Sequence, residues 1–346
     1  AIQWQRKSVF GFVMRNLRYK RNRTIMAVSL LALGTFTVIV TGANRKTFYG
    51  SEKSVKSGSG GFAFWVESTV PILNDLNTYK GKEKYGLTGE TTLENVRFVQ
   101  MPSVDGNDAS CLNLNQVLQP TILGIDAELF DSRQAFSFEQ TDKSVSAQHP
   151  WLTLDEAFAD DLIPAFADQT VITWGIQKKV GDTLLYTSES GKPLKIKLMG
   201  GLAGSVFQGH LLISARHLQK PFPSVAGSKT MLIDGSFSNQ SAVSETLEYL
   251  FQDFGMVITP ASQRLAEFNS VTNTYLSVFM LLSALGIIIG TIGLGIVLLR
   301  NVAERKTELA LYQSLGFTKN LVFRIIFTEY LIILFAGIAI GSVSAF

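Results

Sequence analysis

The alternation of apolar and polar positions divides the chain into three apolar segments and one long polar middle region. Residues 24–43 and residues 273–299 carry no charged side chain, and a third apolar segment occupies residues 321–346. An uncharged apolar run of about 20 residues is long enough to cross a bilayer as a helix. The pattern therefore predicts three transmembrane helices, with a soluble region at residues 44–272 between the first and the second.

The soluble region shows the mixed periodicities of an α/β domain. Its helix-like patterns lie at residues 155–162 and 240–254, and a turn is predicted at residues 179–182. Strand-like runs lie at residues 62–69, 95–100, 120–125, 170–174, 182–187, 194–199 and 211–214. We therefore predict α-helical transmembrane segments plus a mixed α/β extracytoplasmic domain, or two subdomains, inserted between the first and second spans.

The distribution of charge predicts the orientation in the membrane. Residues 1–23 contain seven basic residues and no acid, and the stretch after the second apolar run, residues 300–320, is also net basic. Basic residues beside short loops stay in the cytoplasm. The N-terminus and residues 300–320 are therefore predicted to be cytoplasmic, and residues 44–272 lie outside. The mean hydropathy of only +0.21 reflects the size of that outer region.

The basic segment at residues 1–23 has two open interpretations. Its apolar residues are interleaved with the basic ones, as in an amphipathic helix on the inner membrane surface. The alternative is the cytoplasmic end of the first span, continued. In either case we expect contact with anionic membrane lipid and no nucleic acid as a partner.

A search for catalytic chemistry finds no candidate residue. Cys111 has no second cysteine for a disulfide or a CxxC site, and His210 and His217 lack the spacing of a helical HExxH motif. Asp160 and Asp161 are typical of a solvated surface. The phosphate-binding pattern G-x-x-x-x-G-K-[ST] is absent as well. We therefore predict no enzyme activity and no catalytic, cofactor-binding or metal site in this chain, with ATP bound by a partner ATPase.

The region after the second apolar run carries a recognisable motif. The stretch at residues 298–316, LLRNVAERKTELALYQSLG, contains an E-R-x-x-E-L-x-L pattern that ends in L-G. It resembles the MacB/FtsX/LolC (type VII) ABC transporter permeases, and the later Glu329 matches the acid that these proteins carry early in the third span. Residues 173–184, TWGIQKKVGDTL, resemble the core of the MacB-like periplasmic domain in that class. Residues 85–150 contain no segment that resembles this class.

The resemblance implies the organisation of the whole chain. Residues 1–23 form a basic cytoplasmic segment, 24–43 the first span, 44–272 the outer domain, 273–299 the second span, 300–320 a cytoplasmic coupling helix and 321–346 the third span. Because the chain starts without Met and stops in an apolar run, we expect a fragment whose fourth span is missing. A complete three-span protein is the alternative.

The resemblance also implies the function, a permease subunit that transmits cytoplasmic ATP-driven motion to the outer domain. It would export or extract a lipoprotein, lipid, peptide or drug across a bacterial inner (cytoplasmic) membrane. The alternative is a non-transporting mechanotransmitter that activates a cell-wall hydrolase or signals to a sensor kinase. The partners implied are an ABC ATPase, a second permease copy or homologous half, and an unidentified extracytoplasmic partner or cargo.

Three sets of residues are predicted to serve this function. The ATPase-coupling set presents charges and an apolar face on a helix-forming connector, unless that helix packs on its own bundle or on the membrane: Glu304, Arg305, Lys306, Glu308, Leu309, Tyr312, Leu315 and Gly316. The helix-packing set, Gly286, Gly290 and Gly293, permits a close contact either with a second copy or with another span of the same subunit. The intramembrane charges are Arg324 and Glu329, both near enough to the inner end of the third span to reach the headgroups.

Overall fold

The computed structural model describes residues 11, 13–15, 17–18, 21–43, 53–106, 119–158, 162–235, 237, 239–304, 306–314 and 318–345. The chain divides into two compact units, one of Ala1–Lys46 with Ser270–Phe346 and one of Thr47–Asn269. We call the first the helical unit and the second the α/β unit. Each unit has its own apolar core.

The helices are α1 (Arg21–Ala43), α2 (Tyr79–Lys84), α3 (Ala127–Arg133), α4 (Ala215–Gln219), α5 (Gln240–Leu250), α6 (Ala261–Glu304), α7 (Lys306–Ser314) and α8 (Lys319–Ala345). The strands are β1 (Phe64–Ile72), β2 (Arg97–Met101), β3 (Ser103–Val104), β4 (Thr121–Ile125), β5 (Phe138–Thr141), β6 (Leu162–Asp168), β7 (Thr183–Thr187), β8 (Pro193–Leu202), β9 (His210–Ser214), β10 (Ser228–Asp234) and β11 (Val257–Pro260). Short 3₁₀ turns lie at Thr91–Leu93, Trp151–Asp155 and Gln252–Phe254, and a π-helical turn lies at Val171–Gly175.

The first sheet of the α/β unit is antiparallel, in the order β11-β1-β10-β2. Because side chains alternate along a strand, Phe64 and Val66 of β1 lie on one face and Trp65 on the other. The first face packs against Val243 and Leu247 of α5, so the apolar stripe of this helix belongs to the core. The second face packs into a separate core with Phe207. Both faces of this sheet are therefore buried.

The second sheet is mixed and follows the order β3-β4-β9-β6-β8-β5, with β7 paired to β8. The pairs β4–β9 and β6–β8 are parallel, whereas β9 and β6 are antiparallel. Leu123, Phe166 and Leu212 point into the core that this sheet shares with the first one. Its opposite face buries a third apolar cluster that includes Ile196 and Ile213. The α/β character predicted for this region is confirmed.

The helical unit is closely packed at two glycines of α8. A methyl group at Gly337 would lie 2.6 Å from Cβ of Leu31, and one at Gly341 would lie 2.8 Å from Cβ of Thr35. Only glycine lets the two backbones approach this closely. The residue numbers of the contact positions increase along both helices, from Leu31 to Thr35 in α1 and from Gly337 to Gly341 in α8, so the two helices run parallel.

Helix α6 meets α1 in the opposite direction. A methyl group at Gly34 would lie 2.8 Å from Cγ1 of Ile287, and one at Gly42 would lie 3.9 Å from Cε of Met280. The contact positions rise along α1 and fall along α6, so these helices are antiparallel. In the described residues, three helices are long and apolar enough to cross a membrane, over Thr24–Ala43, Asn273–Gly293 and Lys319–Ala345.

Two local predictions are wrong. The run 170–174, predicted as a strand, is helical instead and overlaps the π-helical turn Val171–Gly175. The carboxylate of Asp168 accepts hydrogen bonds from the backbone N–H and the hydroxyl of Thr170, which favours a helical start there. Of the region 155–162, predicted as helical, Asp155 ends the 3₁₀ turn, Leu162 begins β6, and residues 159–161 lie outside the described part of the chain. Asp155 binds Ser214 and Arg216 instead of capping a helix.

Helix α6 also differs from the predicted second span. It begins at Ala261, twelve residues before the apolar run 273–299, and thus contributes residues to both units. Residues 262–272 are polar enough to be excluded from a span by composition, yet they continue the helix. Their side chains include Arg264, which leads to the site described next.

Candidate coupling site

The first turn of α6 is fixed in the core of the α/β unit. Its first residue, Ala261, is 1% exposed and donates its backbone N–H to the carbonyl of Ala63 at 3.0 Å. Leu265 is 2% exposed and lies one turn later on the same face. The end of α6 that carries Ala261 therefore cannot move independently of the α/β unit.

Arg264 makes the densest set of contacts on this turn. Its guanidinium lies 4.1 Å from the ring centroid of Trp65 and 5.0 Å from that of Phe268. Nη2 lies 3.2 Å from Oε1 of Glu67, and Nε donates to the carbonyl of Val206 at 3.2 Å. The indole N–H of Trp65 donates to the same Glu67 oxygen at 2.7 Å. Strand β1 and helix α6 are thus joined through one cation, and we call these five residues the Arg264 joint.

Burial sets the electrostatics of the Arg264 joint. Burial lowers the pKa of Arg264 from its ordinary value, and the Glu67 carboxylate opposes that shift. His210 packs on Trp65 with ring centroids 5.4 Å apart. Burial, and then the charge of Arg264, lower the pKa of His210 to about 4. At neutral pH an uncharged His210 therefore lies beside the Arg264 joint and its partly buried cation.

The loop that precedes β1 docks at the same place. The backbone N–H of Val206 donates to the carbonyl of Gly58 at 2.9 Å, so Val206 contacts both this loop and Arg264. A methyl group at Gly58 would lie 2.0 Å from the carbonyl oxygen of Gly204 and 3.1 Å from Cδ2 of Leu265. The two ends of the α/β unit, where the chain enters and leaves it, are therefore tied to each other.

A second arginine holds the same loop from the other side. Arg133 donates to the carbonyls of Gly60 at 3.2 Å and Gly61 at 2.8 Å, stacks on Phe62 at 4.3 Å, and pairs with Asp234. Both glycines have positive φ, +63° and +72°, which turns their carbonyls toward the guanidinium at little cost. Arg133 also lines an open cleft of about 840 Å³.

The predicted coupling residues are only partly described. Glu304 and Lys306 are exposed, at the end of α6 and the start of α7, and Nε of Arg300 donates to Oε1 of Glu304 at 2.8 Å. The backbone of α7 places the helix where the connector was predicted to be helical. Outside the described residues or side chains lie Arg305, Glu308, Leu309, Tyr312, Leu315 and Gly316.

The predicted packing glycines of α6 face open space. Nothing lies within 4 Å of a methyl group built at Gly286 or Gly293, and the surroundings of Gly290 are outside the described part of the chain. Among the described residues, Gly286 and Gly293 make no close helix contact, in contrast to Gly337 and Gly341 of α8. A contact with a second copy stays a prediction.

The two charged residues of α8 differ in environment. Glu329 is 3% exposed, whereas Arg324 is exposed. Of the described residues, no group of three or more His, Cys, Asp or Glu side chains is arranged to hold a metal ion. The residues that sequence reasoning missed are Arg264 and the pair Gly337 and Gly341. The G-x-x-x-G spacing of that pair was readable in the sequence.

The fold and these contacts define a class of protein: a helical unit with membrane-length helices and a folded α/β unit, connected by a helix anchored in the latter. Residues 280–346 match the family described as FtsX-like permease C-terminal. This match confirms the predicted resemblance of the chain to FtsX-like ABC transporter permeases. A comparison with curated proteins finds no match.

Two solved structures are similar to the chain. One is the periplasmic region of MacB from Actinobacillus actinomycetemcomitans, with 10% identity, a TM-score of 0.31, and coverage of 62% of this chain and 94% of that one. The other is the extracellular domain of the noncanonic ABC-type transporter YknZ from Gram-positive bacteria, with 11% identity, a TM-score of 0.27, and coverage of 56% and 99%.

Proposed function

We propose that this chain is the permease subunit of an ABC complex and that α6 carries ATP-driven motion from the cytoplasm to the α/β unit. The observation that carries the proposal is the continuity of α6, one helix from Ala261 to Glu304. At 1.5 Å per residue its 44 residues extend about 65 Å, more than a bilayer requires. A helix of this kind, fixed at one end by the Arg264 joint, is suited to act as a lever.

The other end of this lever is the proposed contact with the ATPase. The exposed charges of Glu304 and Lys306 adjoin α7, and a short charged helix can insert in a groove of a partner, with its charges setting the register. ATP is then bound and hydrolysed by the partner ATPase, with no cofactor in this chain. A groove-binding role for Leu309, Tyr312 and Leu315 remains part of this proposal.

The proposed location is a bacterial inner (cytoplasmic) membrane, with three spans and the α/β unit on the periplasmic side between the first and second. The antiparallel contact of α1 with α6 and the parallel contact of α1 with α8 support three successive crossings. The basic residues before α1 support a cytoplasmic N-terminus. The open glycine face of α6 is a candidate contact with a second permease copy or homologous half.

The cargo is proposed to contact the α/β unit. Movement of α6 would shift this unit because the chain's entry and exit are tied together at Val206 and Arg264. The cleft beside Arg133 includes Lys82, Glu94 and Asp234, so it presents both signs of charge. That composition suits a polar partner, such as a polypeptide segment, better than an acyl chain.

The test is a pull-down of the full-length protein from native membranes in mild detergent. One variant changes Glu304, Arg305, Lys306 and Glu308 to Ala. A matched control changes four exposed charges of the α/β unit to Ala, also with no change in net charge: Lys80, Glu83, Lys192 and Glu245. We expect an ABC ATPase to co-purify with the unmutated protein and the control and to be lost from the connector variant.

The outcomes separate the alternatives. If no ATPase co-purifies with the unmutated protein, and none is encoded in the same polypeptide, the proposal fails. If an ATPase co-purifies equally with all three proteins, the coupling residues are wrong but the complex stands. A cell-wall hydrolase or a sensor kinase in the same samples, instead of cargo or a periplasmic adaptor, favours the mechanotransmitter alternative.

A further inference from the structure

The described residues before α1 (11, 13–15 and 17–18), which we call the N-terminal segment, pack against α8 within the helical unit. Val13 is fully buried and Leu17 is 8% exposed, in a cluster with Ile325 and Ile333 of α8. The hydroxyl of Thr24 donates to the carbonyl of Leu17 at 3.3 Å. Seven residues of straight helix would separate these positions by about 10 Å. The chain therefore bends between the segment and α1, and the segment is not a straight continuation of the first candidate span.

This bend creates a notch of about 560 Å³ on the surface of the helical unit. Apolar side chains of all three elements line it: Met14 of the segment, Ile25 of α1 and Ile332 of α8. The guanidinium side chains of Arg18 and Arg21 line it as well, and both are exposed. Within the described part of the chain, no acidic side chain forms an ion pair with either of them.

The notch lies where the candidate span begins. The apolar stretch starts at Thr24, one turn after Arg21, and Ile25 already belongs to it. If this helix crosses a membrane, the arginines lie at the depth of the headgroups and the apolar lining at the depth of the first acyl carbons. Arginine binds phosphate through paired N–H donors, which a lysine does not reproduce.

We propose that this notch is a binding site for one anionic phospholipid of the inner leaflet, with its phosphate on Arg18 and Arg21 and an acyl chain against Met14, Ile25 and Ile332. The alternative is two solvated arginines that only determine topology. The volume and the apolar lining of the notch favour a lipid-binding site, because arginines that only determine topology require no apolar notch beside them. The inference rests on the proposed membrane placement of α1, and deepens it.

The experiment is native mass spectrometry of the delipidated full-length protein, titrated with phosphatidylglycerol and, separately, with phosphatidylcholine. The test variant is Arg18→Ala with Arg21→Ala. The control, Arg15→Ala with Lys319→Ala, removes the same charge from exposed positions outside the notch. We expect phosphatidylglycerol to bind the test variant roughly thirtyfold more weakly than the unmutated protein and the control.

A second variant guards against misfolding. Ile25→Trp keeps both arginines and fills the notch at a position that is 50% exposed, so the fold should tolerate it. We expect weaker lipid binding for this variant too. Inorganic phosphate is added in a further sample, and displacement of lipid by millimolar phosphate would show that the acyl chain contributes nothing.

Each remaining result decides the question. Equal binding of both lipids, or equal binding by the test variant and the control, would overturn the site. Reconstitution in nanodiscs is tested first: a chain that does not enter a bilayer at all contradicts the proposed function as well, whereas one that inserts without preference for anionic lipid contradicts this inference alone.

Discussion

Removing the side chain of Arg264 is expected to loosen the first turn of α6 from the α/β unit. In the Arg264→Ala variant, the hydrogen bond to the carbonyl of Val206 is lost at a cost of about 1 kcal/mol. Loss of the cation–π contact with Trp65 costs roughly another 1 kcal/mol in this partly buried position. Because Glu67 is half exposed, its ion pair adds less than about 1 kcal/mol.

The sum, about 2–3 kcal/mol, corresponds to local opening that is roughly 30- to 150-fold more frequent. Hydrogen exchange measured by mass spectrometry on the full-length protein reports this directly. The amides to follow are those of Ala261, bonded to Ala63, and Val206, bonded to Gly58. Both should exchange faster by that factor in the variant, whereas peptides from the hairpin of β7 and β8 should not change.

The matched control is Arg216→Ala. Arg216 also pairs with two acids, Glu128 at 2.7 Å and Asp155 at 3.3 Å, but its side chain is 67% exposed and lies outside the Arg264 joint. This variant should leave exchange at Ala261 and Val206 unchanged. If Arg264→Ala also leaves those amides unchanged, the joint does not hold α6 and the reasoning from its contacts is refuted.

Three further predictions follow from the described contacts. The pKa of His210 is about 4 in the folded protein, below its ordinary 6.5, so between these pH values the unfolded chain binds a proton that the folded protein does not. The free energy of unfolding should therefore fall as the pH drops from 6.5 toward 4, by about 2 kcal/mol at pH 5. Thermal midpoints measured at pH 7.5 and pH 5 should show this decrease, and the His210→Gln variant should lack it. Gly341→Ala should lower the thermal midpoint of the protein in detergent by several degrees while Gly286→Ala does not, and equal effects would mean that Gly286 also packs closely. The Asp168→Asn variant should be less stable to chemical denaturation by about 2–3 kcal/mol. The buried carboxylate of Asp168 accepts hydrogen bonds from Ser205 and Thr170, and an amide can accept only some of them. An unchanged denaturation midpoint would contradict this prediction.

The periodicity of apolar and polar residues located the strands that are buried on one face, or on both faces over a short run. The predicted runs at residues 95–100, 120–125 and 211–214 overlap β2, β4 and β9. The run 170–174 failed because β-branched residues favour strands only where no local cap competes, and Asp168 provides one. Strand β10 was missed although it is central to the first sheet, since its mixture of polar and apolar residues gives no clean alternation.

The Arg264 joint was beyond the reach of sequence patterns. Arg264 and Trp65 are far apart along the chain. Taken alone, Arg264 is typical of a solvated basic residue and Trp65 of an aromatic residue in a core. Only the register of β1 with β11, which places Trp65 opposite Thr259 just before α6 begins, brings them together. The membrane-length helices and the connector were predictable, because length, charge and motif are local properties.

The central claim is that motion begun at the cytoplasmic connector reaches the α/β unit through α6. The most direct measurement is hydrogen exchange of the complex with its co-purified ATPase in nanodiscs, with and without a non-hydrolysable ATP analogue. We predict that the analogue changes exchange both in α7 and at Ala261 and Val206, and that Arg264→Ala retains the first change and loses the second. A change confined to α7 in the unmutated protein would contradict the account.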